Sequence, residues 1–292
     1  MPSAPTPLQG AESNVHDRAI GDIIRSTRNL TADQVEEILA YQREKGVRFG
    51  EAAVALGMAT PDDVLYALSQ QFHYPYSPEE RRAVSPELVV LNQPFGHQAE
   101  AFRAIRSQMI LRLGGDSRTR HALAVVSPNT GDGKTFFAAN LAATLAQLGG
   151  RTLVVDADLR GPRMHEVFSL QNASGLSGIL SGRAESQVIQ QVSGVPSLFV
   201  LPVGVTPPNP LELVERPAFG LLMRELVSKF DHVVVDTPAG SHGADASVIA
   251  SRCGVALMVA RKDKVQVAAL HDLVDALGAG NAVLGGVVMN EF

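Results

Sequence analysis

The chain of 292 residues has a single cysteine, Cys253. That excludes an internal disulfide and fits a reducing compartment. Cys253 falls between a helix-like stretch and an apolar strand, so it reads as buried filler and not as a reactive thiol. No apolar run approaches the roughly 18 residues that cross a bilayer, so no membrane span is expected. The opening, MPSAPTPLQGAESN, lacks a basic segment followed by an apolar one, which excludes a signal peptide. Residues 1–16 read instead as a disordered leader. Positive charge is not in excess: the formal net charge is −5, and nucleic acid is not an expected partner. Tyrosine is scarce and one-sided, with Tyr41, Tyr66, Tyr74 and Tyr76 as the only four. What is present, 45% hydrophobic and 19% charged residues, is the composition of a globular, soluble, cytoplasmic protein with room for one or two domains.

Two stretches, IGDIIRSTRNLTADQVEEILAYQ and FGEAAVALGMATPDDVLYALSQQ, align at an offset of 29. Gly21 pairs with Gly50, Thr31 with Thr60, Asp33 with Asp62, and Gln42 with Gln71. Each copy reads as a short helix, a turn, and a second helix opened by threonine. Thr31 with Gln34 fits a capping box, and Thr60 before Pro61 fits an N-cap with proline at the first helical position. Residues 17–76 are therefore expected to form a small helical domain of two repeats. This region resembles the N-terminal domain of type II secretion and pilus ATPases, the group that includes the cyclic-di-GMP-binding MshEN domains. The resemblance implies a cyclic-di-GMP site at Arg48, Gly50 and Gln71 of the second copy. The first copy carries Ala19 where the motif has arginine. Helix packing and capping would equally explain the glycine and the glutamine.

Residues 77–95 lose periodicity and gain proline, which reads as a linker. Beyond it, apolar runs (HALAVVS, TLVVDAD, LFVLPV, HVVVDTP, VALMVA and AVLGGVVM) alternate with helix-length segments such as Lys134–Leu148 and Glu212–Lys229. Such alternation predicts an α/β domain over 96–292, a mostly parallel sheet flanked by helices. PNTGDGKT follows the first run and precedes a helix. Gly131 and Gly133 let backbone N–H groups turn inward, and the helix N-terminus adds its positive end. Asn129, Thr130, Gly131, Asp132, Gly133, Lys134, Thr135 and Phe136 are the expected nucleotide-binding residues. Lys134 would bridge the outer phosphates of ATP, and the Thr135 hydroxyl would bind Mg²⁺. The phosphate-loop pattern is imperfect, because Pro128 occupies its first glycine position. Downstream, Asp156 and Asp158 end one apolar strand, where alternation puts both carboxylates on one side, and two carboxylates so aimed repel unless a cation lies between them; Asp236 ends another apolar strand. Solvated aspartates with an arginine partner are the plain alternative.

Together these motifs resemble those of the bacterial tyrosine kinases, a branch of the P-loop NTPases related to MinD and ParA. DADLR supplies the second box of that branch, Walker A′, as Asp156, Asp158 and Arg160. Further phrases agree, among them RGPRMHEVF, GLSGILSG and LPVGVTPPNPLELV. The resemblance implies catalytic roles for Lys134, Asp156, Asp158 and Arg160, with Thr135, Asp158 and Asp236 holding Mg²⁺. Asp156 would orient or deprotonate the attacking hydroxyl, and Arg160 would meet phosphate or a neighbouring subunit. Glu100, Arg103 and Arg106 match the spacing such kinases use between subunits, implying a homo-oligomer. A repeat domain ahead of such a kinase most resembles the EpsG type of chain-length-determinant kinase. That type docks on a separate membrane polysaccharide co-polymerase, placing it at the inner membrane through a partner. The family's tyrosine-rich tail has no counterpart here, so tail autophosphorylation is not expected. The acceptor is then a partner protein or Tyr74 and Tyr76. An ATPase or nucleotide-switched regulator without tyrosine transfer is the alternative, and a signal-binding adaptor the third reading.

Overall fold

A computed structural model describes residues 20–71, 85–113, 121–183, 187–280 and 282–291. The chain divides into two units, Met1–Pro78 and Glu79–Phe292. In the first, the two repeats give α1 (Ile20–Arg28), α2 (Ala32–Lys45), α3 (Phe49–Ala55) and α4 (Pro61–Gln71). The capping box at Thr31 forms as read: Gln34 N donates to Thr31 Oγ1, and Thr31 N donates to Gln34 Oε1. Thr60 makes the matching box with Asp63, whose Oδ2 accepts from Thr60 N at 2.7 Å and from Arg28 Nε at 2.6 Å. Partial burial pushes the Asp63 carboxyl up, but the bonds from Thr60 and the charge of Arg28 outweigh it and hold it below its ordinary value. Ile24, Ile38, Ala52, Ala53 and Ala67 close a small core of their own.

Gly50 is where the two helices of the second repeat touch: a Cβ there would lie 2.7 Å from Val64 Cγ1. Gly50→Ala is therefore expected to destabilise this unit by roughly 1–3 kcal/mol through overpacking. Thermal unfolding of the full chain, followed by tyrosine fluorescence, checks this; an unchanged transition would refute the packing account.

The second unit begins with α5 (Val89–Asn92) and α6 (His97–Leu113). It continues through β1 (Ala122–Val126), α7 (Lys134–Ala146), β2 (Thr152–Asp156), α8 (Met164–Val167), α9 (Leu176–Leu180), β3 (Gln190–Gln191) and β4 (Leu198–Leu201). After these come α10 (Pro210–Glu215), α11 (Pro217–Lys229), β5 (His232–Asp236), α12 (Asp245–Cys253), β6 (Gly254–Arg261), α13 (Val267–Ala279) and β7 (Val283–Asn290). The strands form one sheet in the order β3-β4-β2-β5-β1-β6-β7, parallel except for β3. Alternation along each strand feeds two cores. Leu123, Val125, Val154 and Val234 face α5–α8, while Ala124, Val126, Leu153 and Val235 face α9–α13.

Three details differ from the sequence reading. Residues 85–95, expected in a linker, belong to the second unit: Leu88 and Val90 are buried, and Asn140 of α7 donates to Glu87 O and accepts from Val90 N. The expected helix Glu212–Lys229 is two helices, because Arg216 stands before Pro217 and takes extended backbone (ψ 143°). Strand β3 was not anticipated, since two polar glutamines on an edge carry no apolar pattern. Cys253 is buried as expected, and that burial pushes its thiol well above the usual range. No helix among the described residues is long and apolar enough to cross a membrane.

Candidate active site

Parallel pairing brings the carboxyl ends of β1, β2 and β5 side by side, with Asp156 directly opposite Asp236 in register. The phosphate loop leaves β1 at this edge and enters α7 at Lys134. Gly131 (φ +84°) and Gly133 (φ +97°) both hold left-handed backbone. At Gly133 a Cβ would also strike the side-chain amide of Asn290. Helix α7 is apolar all round because it is buried all round, so the loop at its N-terminus rests on a rigid support.

Lys134 is 7% exposed, with Nζ 3.1 Å from Ser127 Oγ. Thr135 Oγ1 donates to Asp236 Oδ2 at 2.6 Å. The other carboxylate oxygen, Asp236 Oδ1, is buried with no hydrogen-bond partner among the described residues. Burial raises the Asp236 carboxyl to about 7; the Thr135 bond and the Lys134 charge pull it down, and Asp158 pushes it up. Asp156 is raised well above its usual value by burial first, then by the charge of Asp236. An orphaned oxygen beside a threonine hydroxyl suits a hard divalent cation that takes its remaining oxygen ligands from nucleotide phosphates, since among the described residues no three carboxylate, histidine or cysteine groups come together as a metal cage.

Asp156 and Asp158 do not project together as alternation suggested, because β2 ends at Asp156 and the chain turns there. Asp156 Oδ2 accepts from Arg163 N at 3.2 Å and Met164 N at 3.0 Å. Asp158 Oδ1 accepts from Arg160 N at 3.1 Å and Gly161 N at 2.9 Å. Asp158 is only half-buried, so a ligand can reach it while Asp156 stays fixed beneath.

Within the loop, Asn129 N donates to Asp132 Oδ2 at 2.8 Å, so the buried Asp132 carboxylate braces the turn from inside. The Phe136 ring packs on Phe102 with centroids 5.9 Å apart, so anything Phe136 offers a phosphate comes from its backbone. Sequence reasoning missed the groups that hold the loop from outside. Asn290 Nδ2 donates to Asp132 O, Arg261 Nη1 donates to Gly131 O, and Thr130 Oγ1 lies 2.9 Å from His242 Nε2. Asp245, also missed, grips Arg160 with both carboxylate oxygens at 3.1 and 3.2 Å. Asn290 follows directly on the last apolar run, AVLGGVVM, and nothing local marks it, His242 or Asp245.

The remaining predicted residues lie elsewhere. On α6, Glu100 is exposed and pairs with Arg103 at 2.8 Å, while Arg103 also donates to Pro94 O. Arg106 turns inward and donates to Thr144 O at 2.9 Å. In the repeat unit, Arg48 is exposed at the start of α3, and Gly50 is explained by packing on Val64. Gln71 ends α4 with a buried Oε1 that has no partner among the described residues. Tyr41 and Tyr66 pack against the repeat core, whereas Tyr74 and Tyr76 lie outside the described residues.

A mostly parallel sheet with a phosphate loop after an inner strand and paired aspartates at its carboxyl edge defines a P-loop nucleotide-binding protein of MinD-like fold. Residues 123–292 match the family described as the CobQ/CobB/MinD/ParA nucleotide binding domain. The tyrosine-protein kinase YwqD of Bacillus subtilis (strain 168) is 30% identical over 203 residues, 70% of this chain and 85% of that protein. The tyrosine-protein kinase ptk of Acinetobacter johnsonii is 32% identical over 192 residues, 66% of this chain but only 26% of ptk. The kinase domain of Escherichia coli tyrosine kinase ETK superposes with a TM-score of 0.66 at 32% identity, covering 71% of this chain and 80% of that domain. The chain belongs to the bacterial tyrosine kinase family, and its enzyme class is protein-tyrosine kinase.

Proposed function

We propose that the chain transfers the outer phosphoryl of ATP to tyrosine and thereby regulates exopolysaccharide chain length and export, working with a separate membrane co-polymerase. The observation that carries the catalytic part is the gathering of Lys134, Thr135, Asp156 and Asp236 at one sheet edge, with a buried carboxylate oxygen left without a partner. Thr135, Asp236 and Asp158 would hold Mg²⁺, which neutralises phosphate charge in such transfers. Lys134 meets the charge that develops on the transferred group. Asp156, fully buried and held by three backbone N–H donors, would orient the attacking hydroxyl from beneath Asp158 and not meet it directly.

The acceptor is a tyrosine on a partner, or Tyr74 and Tyr76. Tyr41 and Tyr66 are packed against apolar neighbours and suit the role less well. Exposed Glu100 and its partner Arg103 are the proposed contact between copies. The test is made in a polymer-producing cell, replacing the gene by Lys134→Met and sizing the exported polysaccharide. A shifted length distribution is expected; an unchanged one sinks the regulatory role. Cyclic-di-GMP at Arg48, Gly50 and Gln71 is a separate proposal, supported by the partnerless Gln71 oxygen. Equal affinity of wild type and Arg48→Ala in a titration of the full chain would end it.

A further inference from the structure

The loop between β5 and α12 does more than connect them. Gly240 N donates to Ser127 O and Ser241 N donates to Pro128 O, both at 2.8 Å, so its backbone is stitched to the start of the phosphate loop. His242 reaches Thr130 one turn further along. The chain then takes left-handed backbone at Gly243 (φ +127°) and delivers Asp245 to the first turn of α12. Asp245 is 2% exposed, so its carboxylate calls for a partner. It takes Arg160 Nε and Nη2 in a fork, from a residue 85 positions away. Arg160 is held at its other end by the Asp158 turn. Its Nη1 makes no hydrogen bond among the described residues, and its side chain is 35% exposed. The guanidinium is thus fixed on one edge and free on the other.

We propose that Asp245 is the positioning residue for Arg160. Seated on a segment registered against the phosphate loop, it presets the free edge of the guanidinium toward the phosphate-bearing side of the site. The proposal rests on the nucleotide-site reading above. A partly buried bidentate pair costs orientation freedom before ligand arrives, so the arginine need not search when phosphate binds.

The test is a double-mutant cycle in the full chain, using Asp245→Asn and Asp245→Ala in wild-type and Arg160→Ala backgrounds. Three quantities are read: phosphoryl transfer from Mg²⁺-ATP, affinity for a non-hydrolysable ATP analogue, and melting temperature. If Asp245 acts through Arg160, each Asp245 variant lowers kcat by about 10- to 100-fold and weakens analogue affinity by a smaller factor, and both losses vanish when Arg160 is already alanine. Asp245→Asn, which keeps volume and one acceptor, falls between wild type and Asp245→Ala. Losses that add to those of Arg160→Ala, or a lowered melting temperature with unchanged kcat, overturn the proposal and leave a merely structural pair. Should wild type transfer no phosphoryl at all, the kinase reading fails on its own. The cycle is then decided by analogue affinity, where coupling between the two sites supports the proposal and additivity refutes it.

Discussion

Lys134→Ala is expected to lower phosphoryl transfer by about 100-fold or more, because it removes a buried cation placed to meet charge developing on the transferred group. The side chain is almost wholly enclosed, and its ammonium stands against Ser127 Oγ and close enough to Asp236 to lower that carboxyl. Its loss therefore acts twice. The phosphoryl group loses its counter-charge, and Asp236 loses a neighbour that keeps it ionised for a metal. Nucleotide affinity should fall along with kcat. The fold should survive, since α7 is anchored by Phe137, Leu141 and Leu145 and not by the lysine. Steady-state transfer from labelled ATP, beside a melting curve, checks this. A variant within about threefold of wild type would remove Lys134 from the machinery.

Asp236→Asn should raise stability while destroying activity, and the opposite signs make it informative. A carboxyl raised from 3.8 to about 7 binds more protons in the folded than in the unfolded state between those values. Without metal, its contribution to stability is therefore complete below about pH 4 and is lost as pH rises toward 7. The neutral isostere removes that slope and relieves repulsion with Asp156. At pH 8, without nucleotide, the variant should melt above wild type. With Mg²⁺-ATP it should lose about 100-fold or more in rate, since an amide is a poor ligand for a hard cation. Wild-type Mg²⁺-nucleotide affinity should likewise weaken as pH falls through about 7, where protons compete for the same oxygens. A variant that melts below wild type at pH 8, or one that keeps its Mg²⁺-dependent rate, would contradict the electrostatic account.

Much of this site can be read without coordinates because its chemistry is local. Thr135 follows Lys134 at a helix start, and Asp236 ends an apolar run, so motif and strand pattern place both. The same reasoning predicted the threonine caps and six of the seven strands among the described residues. It failed where structure is made by closure over long distances. Asp245 and Arg160 are 85 positions apart, Thr130 and His242 112, and Asn290 reaches Asp132 across 158. Each is an ordinary polar residue in an ordinary loop until the sheet assembles. Asp158 was misplaced for a simpler reason: the period-two rule stops applying once the strand ends at Asp156. Residues 85–95 looked like a linker because Leu88 and Val90 are too few to show a period, although both are buried.

The central claim, that this site transfers phosphoryl to tyrosine, is tested most directly by one assay. The full chain is incubated with labelled ATP and Mg²⁺, alone and with the membrane co-polymerase, and phosphotyrosine and free phosphate are counted together. The account predicts phosphotyrosine on Tyr74, Tyr76 or the partner, absent in Lys134→Ala. Free phosphate without phosphotyrosine under both conditions would contradict it and make the protein a nucleotide-driven switch.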